Sequence, residues 1–154
     1  MVQGFEGMRG KSAIVTGGAT LIGAGVVRAL HQAGVRVVVA DINAEAGQAL
    51  ADELGDGVLF SRTDITDDTQ VAACVALAAA RHGGVNYLVN LACSYLDDGI
   101  ASPRADWLAS LNVNLVSAVM VLKAVRPHFQ RAGGGAVVNF TSISSGVAQT
   151  GRWL

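Results

Sequence analysis

Short apolar runs rich in β-branched residues alternate along the chain with longer stretches whose apolar residues recur at helical spacing. The runs predict strands, and the longer stretches predict helices. We expect strands at about 12–16, 35–40, 57–61, 85–91 and 136–141, and helices at about 21–33, 43–54, 67–82 and 104–131. Glycines such as Gly34, Gly55 and Gly83 follow the predicted helices, where a residue without Cβ commonly ends a helix.

This alternation predicts an α/β fold. Strands separated by helices of ten or more residues form βαβ units, whose strands run parallel in one sheet. The strands are apolar at consecutive positions, as in Val37-Val38-Val39 and Ala136-Val137-Val138, so both faces of the sheet need cover. We therefore predict a doubly wound parallel sheet in a three-layer α/β/α arrangement, forming one domain over residues 1–154.

The turn after the first predicted strand has the features of a phosphate-binding loop. Gly17 and Gly18 form the bend between strand and helix, and Gly23 lies in the first turn of the helix. Without Cβ atoms, backbone amides can approach a phosphate closely, and the positive end of the helix dipole faces the same place. We predict that a pyrophosphate binds here, at Gly17, Thr20, Leu21, Ile22 and Gly23.

The second predicted strand ends in a carboxylate, Asp41. It follows Gly23 by close to the roughly 20 residues expected for the acid that accepts hydrogen bonds from the adenosine ribose. A carboxylate here would repel a 2′-phosphate, so a Rossmann-like domain that binds NAD rather than NADP is predicted. The alternative is that Asp41 caps the next helix, with Asn43 and Glu45 in its first turn.

Composition narrows the function further. Hydrophobic residues make up 51% of the chain and charged residues 15%, with a formal net charge of −1. No basic stripe indicates a nucleic-acid partner, and neither a membrane partner nor a signal peptide is expected. Cys74 and Cys93 form neither a metal-ligand pattern nor a disulfide framework, so we expect no metal and a cytoplasmic location.

Polar residues also end the later strands. Asp64-Ile65 follows the third strand, Asn90-Leu91-Ala92-Cys93 the fourth, and Thr141-Ser142 the fifth. Functional side chains of such sheets gather at these carboxyl ends. Asp64 is a candidate acceptor for an adenine amino group, or else a cap for the helix that begins near Asp67.

The motifs described above, taken in their order along the chain, resemble those of the short-chain dehydrogenase/reductase family in its NAD-preferring form. The resemblance extends over essentially the whole chain. Residues 16–23 are similar to the family's Thr-Gly-x-x-x-Gly-x-Gly loop, with Leu21 where the middle glycine would stand. Asp41 matches the ribose-binding acid, and Asp64 matches the acid that contacts adenine. Beyond the loop, the resemblance implies cofactor contacts at Asp41, Ile42, Asp64, Ile65, Asn90 and Ala92.

The Asn90-Leu91-Ala92-Cys93 segment resembles the family's Asn-Asn-Ala-Gly motif and departs from it at Leu91 and Cys93. The departure at Cys93 places a thiol near the expected nicotinamide ring. That thiol is either a small apolar filler or an oxidation-sensitive group.

The resemblance also implies catalytic roles. Ser142 would hydrogen-bond the substrate oxygen, and Asn114 would hold a water in a proton relay. The alternatives are that Ser142 belongs to an ordinary loop and that Asn114 is a structural crosslink in an apolar helix, where an amide must be paired. The family's tyrosine, with a lysine four residues later, is expected beyond Leu154. The 154-residue chain alone is therefore expected to be inactive and to lack the last strands of the sheet.

Three functions remain open at this stage. The first is an NAD-dependent oxidoreductase that transfers hydride between a secondary alcohol or ketone and NAD(H). The second is a truncated, non-catalytic NAD-binding or assembly module. The third is a methyltransferase that uses S-adenosylmethionine, which is disfavoured because it explains neither Thr16-Gly17, nor the motif at Asn90, nor Ser142.

The predicted helix at 104–131 is apolar nearly all round between Leu111 and Val125. One stripe covers the sheet, and the remainder needs cover from a further segment or a second subunit. The resemblance implies a homo-oligomer, a dimer or tetramer, that pairs through this helix. Pro127 removes one intrahelical hydrogen bond, so we expect the regular helix to kink or end near 124–126.

Overall fold

The computed structural model describes residues 6–96 and 98–147. Strands β1 Ser12–Thr16, β2 Arg36–Asp41, β3 Val58–Arg62, β4 Tyr87–Asn90 and β5 Ala136–Asn139 alternate with helices α1 Leu21–Gln32, α2 Ala44–Leu54, α3 Asp68–His82, α4 Arg104–Leu111 and α5 Ala118–Arg131. The predicted order of elements is confirmed, with most boundaries within two residues of those expected from the apolar pattern.

Within the described residues, the strands form one parallel sheet in the order β3-β2-β1-β4-β5. The chain builds outward from β1 to β3, then crosses over to add β4 on the other side of β1. The doubly wound prediction is confirmed. The strand order reverses between β1 and β4. In sheets of this kind, ligands bind in the crevice that such a reversal leaves at the carboxyl ends of the strands.

Neighbouring residues of each central strand face opposite layers. Ile14 packs in the core beneath α3 and α5, whereas Val15 packs in the core beneath α1 and α2. In the neighbouring strand β2, Val38 packs in the same core as Ile14, and Val39 packs in the same core as Val15. The consecutive apolar residues of β1 and β2 therefore each fill one of two cores, which explains why these strands show no polar alternation.

Side-chain oxygens cap three helices at their amino ends. Thr20, Asn43 and Asp67 accept hydrogen bonds from the first-turn amides of α1, α2 and α3. At the other end of α3, Gly83 adopts φ 82°, the left-handed conformation that terminates helices at low cost for glycine.

The long helical region has an irregular middle. A π-helical segment at Asn112–Ser117 joins α4 to α5 without a break, and the Ser117 hydroxyl donates to the Asn112 carbonyl at 2.7 Å. The expected end of the helix near 124–126 is wrong, because α5 continues through Pro127 to Arg131. The interruption lies instead in the π segment, more than one turn before the proline.

One face of this helical region is apolar and exposed. We call it the helix face, and its residues are Leu108, Leu111, Leu115, Val116 and Val119. On the opposite side, Val121 and Val125 are buried in the core under the sheet. Among the described residues, Arg104–Arg131 is the one helix long and apolar enough to cross a membrane by length and composition alone, with 22% of its most apolar window buried.

Candidate functional site

The β1–α1 loop depends on a glycine that contacts the end of β4. Gly17 has φ 66°, a conformation that residues with side chains rarely adopt. A Cβ at Gly17 would lie 2.8 Å from the backbone nitrogen and Cα of Ala92. Only glycine therefore lets the loop approach the carboxyl end of β4 this closely.

Gly23 serves the same loop from the helix side. A Cβ there would overlap the carbonyl oxygen of Gly17, so α1 can begin against the loop only because residue 23 has no side chain. Thr20 fixes the junction, because its hydroxyl donates to the Gly17 carbonyl at 2.7 Å and accepts from the Gly23 amide at 3.1 Å. The predicted strand, loop and helix are thus held together by a small set of short contacts.

The start of α1 presents unused amide donors. Among the described residues, neither the Leu21 nor the Ile22 amide has an acceptor, as is normal for the first turn of a helix. Both side chains point to solvent, and Leu21 is 93% exposed. Its φ is not positive, so leucine stands at the family's middle-glycine position without backbone strain. The amides and the helix dipole together fit a pyrophosphate.

Asp41 connects this loop to the end of β2. Its carboxylate accepts from the Ala19 amide at 3.0 Å through Oδ2 and from the Asn43 amide at 2.9 Å through Oδ1. Each oxygen keeps a lone pair for a further donor. Asp41 does not cap α2, because Asn43 does so. The following residue, Ile42, exposes its side chain at the same edge of the sheet.

The end of β3 is arranged differently. The exposed Asp64 accepts from the amide and hydroxyl of Thr66 through Oδ1, and it does not cap α3. That cap is Asp67, whose pKa is lowered by hydrogen bonds from Gln70 and then Thr69. Ile65 is buried in the core beside α3, so only its backbone faces the predicted cofactor site.

Thr16 is a site residue that the sequence reasoning did not single out. Its hydroxyl accepts from the amides of Leu91 at 3.1 Å and Ala92 at 3.3 Å, and it lies 3.4 Å from the Val89 carbonyl. It therefore fixes the segment after β4 against the phosphate loop. A buried threonine at the end of a central strand was the available signal, because its hydroxyl needs partners.

Asn90 crosslinks the other side of the crevice. Its amide nitrogen donates to the Ala118 carbonyl at 3.3 Å and to Asn139 Oδ1 at 3.0 Å. Its own Oδ1 is buried and has no partner among the described residues. These bonds join β4 to β5, the strand that precedes Ser142, and to the first residue of α5, which follows the π segment that contains Asn114.

Two departures from the family pattern have different surroundings. The Leu91 side chain is buried in the core under α1 and α2. The Cys93 thiol is free and exposed at the carboxyl edge of the sheet. Leu91 is thus a packing residue, whereas Cys93 lies open beside the crevice.

Asn114 lies in an apolar stretch of sequence, but its side chain is exposed. Oδ1 accepts from the Ser94 amide at 2.8 Å, while Nδ2 donates to the Ser94 carbonyl at 3.2 Å and to Ser110 Oγ at 3.3 Å. These bonds are of the kind that the structural-crosslink alternative expects, and the proton-relay role stays a prediction. Asn114 lies in the π segment, an irregularity often found at functional sites.

Ser142 lies just beyond β5 at the same edge of the sheet. The Phe140 amide donates to the Asn90 carbonyl at 2.9 Å, which extends the pairing of β4 and β5 toward Ser142. The Ser142 carbonyl accepts from the amide and the hydroxyl of Ser145. Its side chain is exposed. Because β4 and β5 are parallel neighbours, the segment that Asn114 holds at Ser94 and the segment that carries Ser142 leave the sheet at the same end.

Comparison with known proteins agrees with this geometry. A family model described as short chain dehydrogenase matches residues 11–153. The chain belongs to the short chain dehydrogenase family. This result excludes the methyltransferase alternative and confirms the resemblance read from the motifs.

Curated relatives are dehydrogenases with varied substrates. The chain is 37% identical over 145 residues to a probable galactose dehydrogenase of Rhizobium meliloti (strain 1021), covering 91% of this chain and 57% of that protein. It is 38% identical over 143 residues to a 3-alpha-(or 20-beta)-hydroxysteroid dehydrogenase of Mycobacterium tuberculosis (strain ATCC 25618 / H37Rv), covering 92% and 54%. A (+)-borneol dehydrogenase of Salvia officinalis is 35% identical over 144 residues, with 92% and 55% covered. The chain thus spans about half the length of these relatives.

Solved structures confirm the fold. A 7 alpha-hydroxysteroid dehydrogenase complexed with NADH and 7-oxo glycochenodeoxycholic acid superposes with a TM-score of 0.90 at 30% identity, over 98% of this chain and 61% of that one. A 3-ketoacyl-(acyl-carrier-protein) reductase from Brucella melitensis, complexed with NADH, gives a TM-score of 0.89 at 24% identity, over 94% and 62%.

Proposed function

We propose that the full-length protein is an oxidoreductase that transfers hydride between a secondary alcohol or ketone and NAD(H). The observation that carries the cofactor choice is the position of Asp41. Its buried carboxylate bonds to the phosphate loop through the Ala19 amide and retains acceptor capacity for a ribose diol.

The charges around Asp41 support NAD over NADP. A 2′-phosphate would approach the carboxylate and need a cation to offset the repulsion. Neither the segment from Gly17 to Val27 nor that from Ala40 to Leu54 contains a lysine or arginine. The diol of NAD, by contrast, offers two hydroxyl donors to a carboxylate that can accept both.

The chain's residues divide the proposed work. When bound, NAD supplies the hydride acceptor. The amides of Leu21 and Ile22 would hold its pyrophosphate, since neither has an acceptor among the described residues. Ser142 would donate to or accept from the substrate oxygen, and Asn114 would position the segment after Cys93 through its bonds to Ser94. Membership of the family implies that a tyrosine transfers the hydroxyl proton.

The test is calorimetric titration of the full-length protein with NAD and NADP. We expect tighter binding of NAD, and Asp41→Ala should weaken it roughly tenfold or more, because a charged acceptor of two hydrogen bonds is lost. Asp56→Ala is the matched control: Asp56 is an exposed acid between α2 and β3, at the opposite edge of the sheet. Unchanged NAD affinity in Asp41→Ala, or tighter binding of NADP by the wild type, would contradict the proposal.

We also propose that the helix face contacts a second copy of the chain rather than a membrane. Two observations support this: its five exposed residues fall on one side of the helix, and the opposite side is packed in the core of the sheet. Contiguous apolar surface on a soluble fold commonly marks an interface.

A further inference from the structure

Two segments that flank Ser142 carry exposed apolar side chains. One follows β4 and the other follows β5, and these strands are parallel neighbours in which Asn90 pairs with Asn139. Both segments therefore leave the same edge of the sheet side by side. We call their exposed large side chains the apolar rim: Tyr95, Leu96, Ile100, Ile143 and Val147. Ile100 and Ile143 are 82% and 73% exposed, so the rim is open to a ligand.

Two parts of the segment after β4 are held by hydrogen bonds. The Asn114 side chain bonds to both backbone groups of Ser94. In the turn at 98–102, the buried Ser102 hydroxyl accepts from the Asp98 amide at 2.8 Å, and the Ala101 amide donates to the Asp98 carbonyl. Ile100 lies within this turn, and its side chain is exposed.

The segment after β5 is held similarly. Ser145 donates through both its amide and hydroxyl to the Ser142 carbonyl. The amides of Gly146 and Val147 donate to the Ile143 carbonyl at 3.0 Å. This short turn fixes the apolar side chains directly after the predicted catalytic serine.

The charged residues of the two segments also restrict which substrates can bind. Neither 91–103 nor 136–147 contains lysine, arginine or histidine, whereas Asp98 is exposed in the first. An anionic substrate group entering here would lose hydration without a cation to pair with it, and would meet a carboxylate. A hydrocarbon surface would instead be favoured by removing the rim from water.

We infer, on the basis of the proposed function, that the substrate is an uncharged, hydrocarbon-rich secondary alcohol or its ketone, rather than a sugar, polyol or carboxylate. Sugars and polyols would place hydroxyl groups against the apolar rim, which offers them no protein partner, whereas a hydrocarbon body covers the rim and removes it from water.

A matched series of alcohols tests this inference in the full-length protein. The series is methyl cis-4-hydroxycyclohexanecarboxylate, the free cis-4-hydroxycyclohexanecarboxylate and D-threitol, each assayed for NAD reduction. The first two differ only in the ester or carboxylate group. We expect kcat/KM to be at least about tenfold higher for the ester than for either other alcohol, since an unpaired polar or charged group against an apolar surface is strongly disfavoured. A preference for the carboxylate or for threitol would overturn the inference.

Two rim variants connect the preference to these segments. Ile100→Asn and Ile143→Asn should each lower kcat/KM for the ester several-fold and narrow its advantage over the carboxylate. Ile42→Asn is the control. This exposed isoleucine lies beside Asp41, and its replacement should change kcat/KM for all three alcohols by the same factor. The ratio of kcat/KM for the ester to that for the carboxylate could instead stay unchanged in both rim variants while their melting temperatures match the wild type. That result would show that the rim does not determine the substrate preference.

The series also separates this inference from the proposed function. Turnover of threitol or the carboxylate in preference to the ester would agree with the proposed NAD-dependent dehydrogenase and would overturn only the inferred substrate class. The absence of NAD reduction by all three alcohols, and of NADH oxidation by the matching ketones, would contradict the dehydrogenase proposal and the inference together.

Discussion

At the scale of single residues, hydrogen-bond partners determine what each polar group does. Asp41 and Asp64 both end strands and both precede helices, and the sequence left each as either a cap or a cofactor ligand. The structure assigns the caps to Asn43 and Asp67. Asp41 is then buried against the phosphate loop, while Asp64 is exposed and bonded to Thr66. A cap cannot be assigned from sequence when several acceptors lie within three residues of one helix start.

His82 is a buried group whose protonation should control stability. Its Nδ1 has no partner among the described residues. Burial, followed by repulsion from Arg36 and Arg81, lowers the pKa of His82 from 6.5 to about 4. The unfolded chain therefore binds a proton between about pH 6.5 and 4 that the folded chain does not. Stability contributed by neutral His82 is present above pH 6.5 and is lost as the pH falls through this range.

We predict that His82→Gln removes this dependence. Between pH 7 and about pH 5, the wild type should lose up to about 2 kcal/mol more unfolding free energy than the variant, since one unit of pKa shift corresponds to about 1.4 kcal/mol. Urea denaturation at a series of pH values measures the difference. Parallel stability curves for the two proteins would show that the His82 pKa is not lowered by folding.

At the scale of elements, the sequence predicted those features that depend on the pattern of apolar residues. Strands such as β2, apolar at consecutive positions, could be located because a sheet covered on both faces demands that pattern. The π segment could not be predicted, because the apolar residues between Leu111 and Val125 fall on nearly all sides of a helix and their spacing does not show where the helix changes pitch. Its geometry depends on local bonds such as Ser117 Oγ to the Asn112 carbonyl, where a side chain competes with the helical amides.

Asn114 and Pro127 illustrate the same limit. Asn114 follows Val113, which packs against the core, and precedes Leu115 and Val116, which are exposed on the helix face. Pro127 is exposed near the end of α5, where solvent can satisfy the carbonyl that loses its partner. The consequence of a proline or asparagine in a helix therefore depends on which side of the helix packs, and sequence periodicity does not show this for an all-apolar helix.

The junction of α1 with the phosphate loop offers an element-scale prediction with an internal control. Gly23→Ala places a methyl group against the Gly17 carbonyl, a backbone atom that cannot move without opening the loop. We expect a loss of about 1–3 kcal/mol in unfolding free energy and weaker NAD binding. Gly25→Ala, two residues on in the same helix, meets no atom within 4 Å and should stabilise by up to about 1 kcal/mol through helix propensity.

Urea denaturation and NAD titration of the two alanine variants provide the measurement. Equal stability changes in the two variants would show that the contact with Gly17 carries no special cost. Loss of stability in Gly23→Ala without loss of NAD binding would separate packing of the helix from formation of the cofactor loop.

At the scale of the whole molecule, the exposed large apolar side chains of the described residues fall mainly in two places, apart from Val138 and Phe140 on and just after the outer strand β5. One is the carboxyl edge of the sheet, where cofactor and substrate are proposed to bind. The other is the helix face, which no described element covers. Family membership and the burial of the opposite side of α5 favour a second subunit as its cover.

The oligomer proposal predicts that one charge on the helix face dissociates the full-length protein. Val119 is half exposed in α5 and stands apart from Asn114, so Val119→Glu should leave the site intact while burying an unpaired carboxylate in the interface. We expect an oligomeric wild type by size-exclusion chromatography with light scattering, and at least roughly tenfold weaker association in the variant. Ala76→Glu, at an exposed position on α3, is the control and should associate like the wild type. A monomeric wild type at micromolar concentration would contradict the proposal. A Val119→Glu variant that associates as tightly as the control would also contradict it, because a carboxylate buried in an interface through this apolar face would be unpaired.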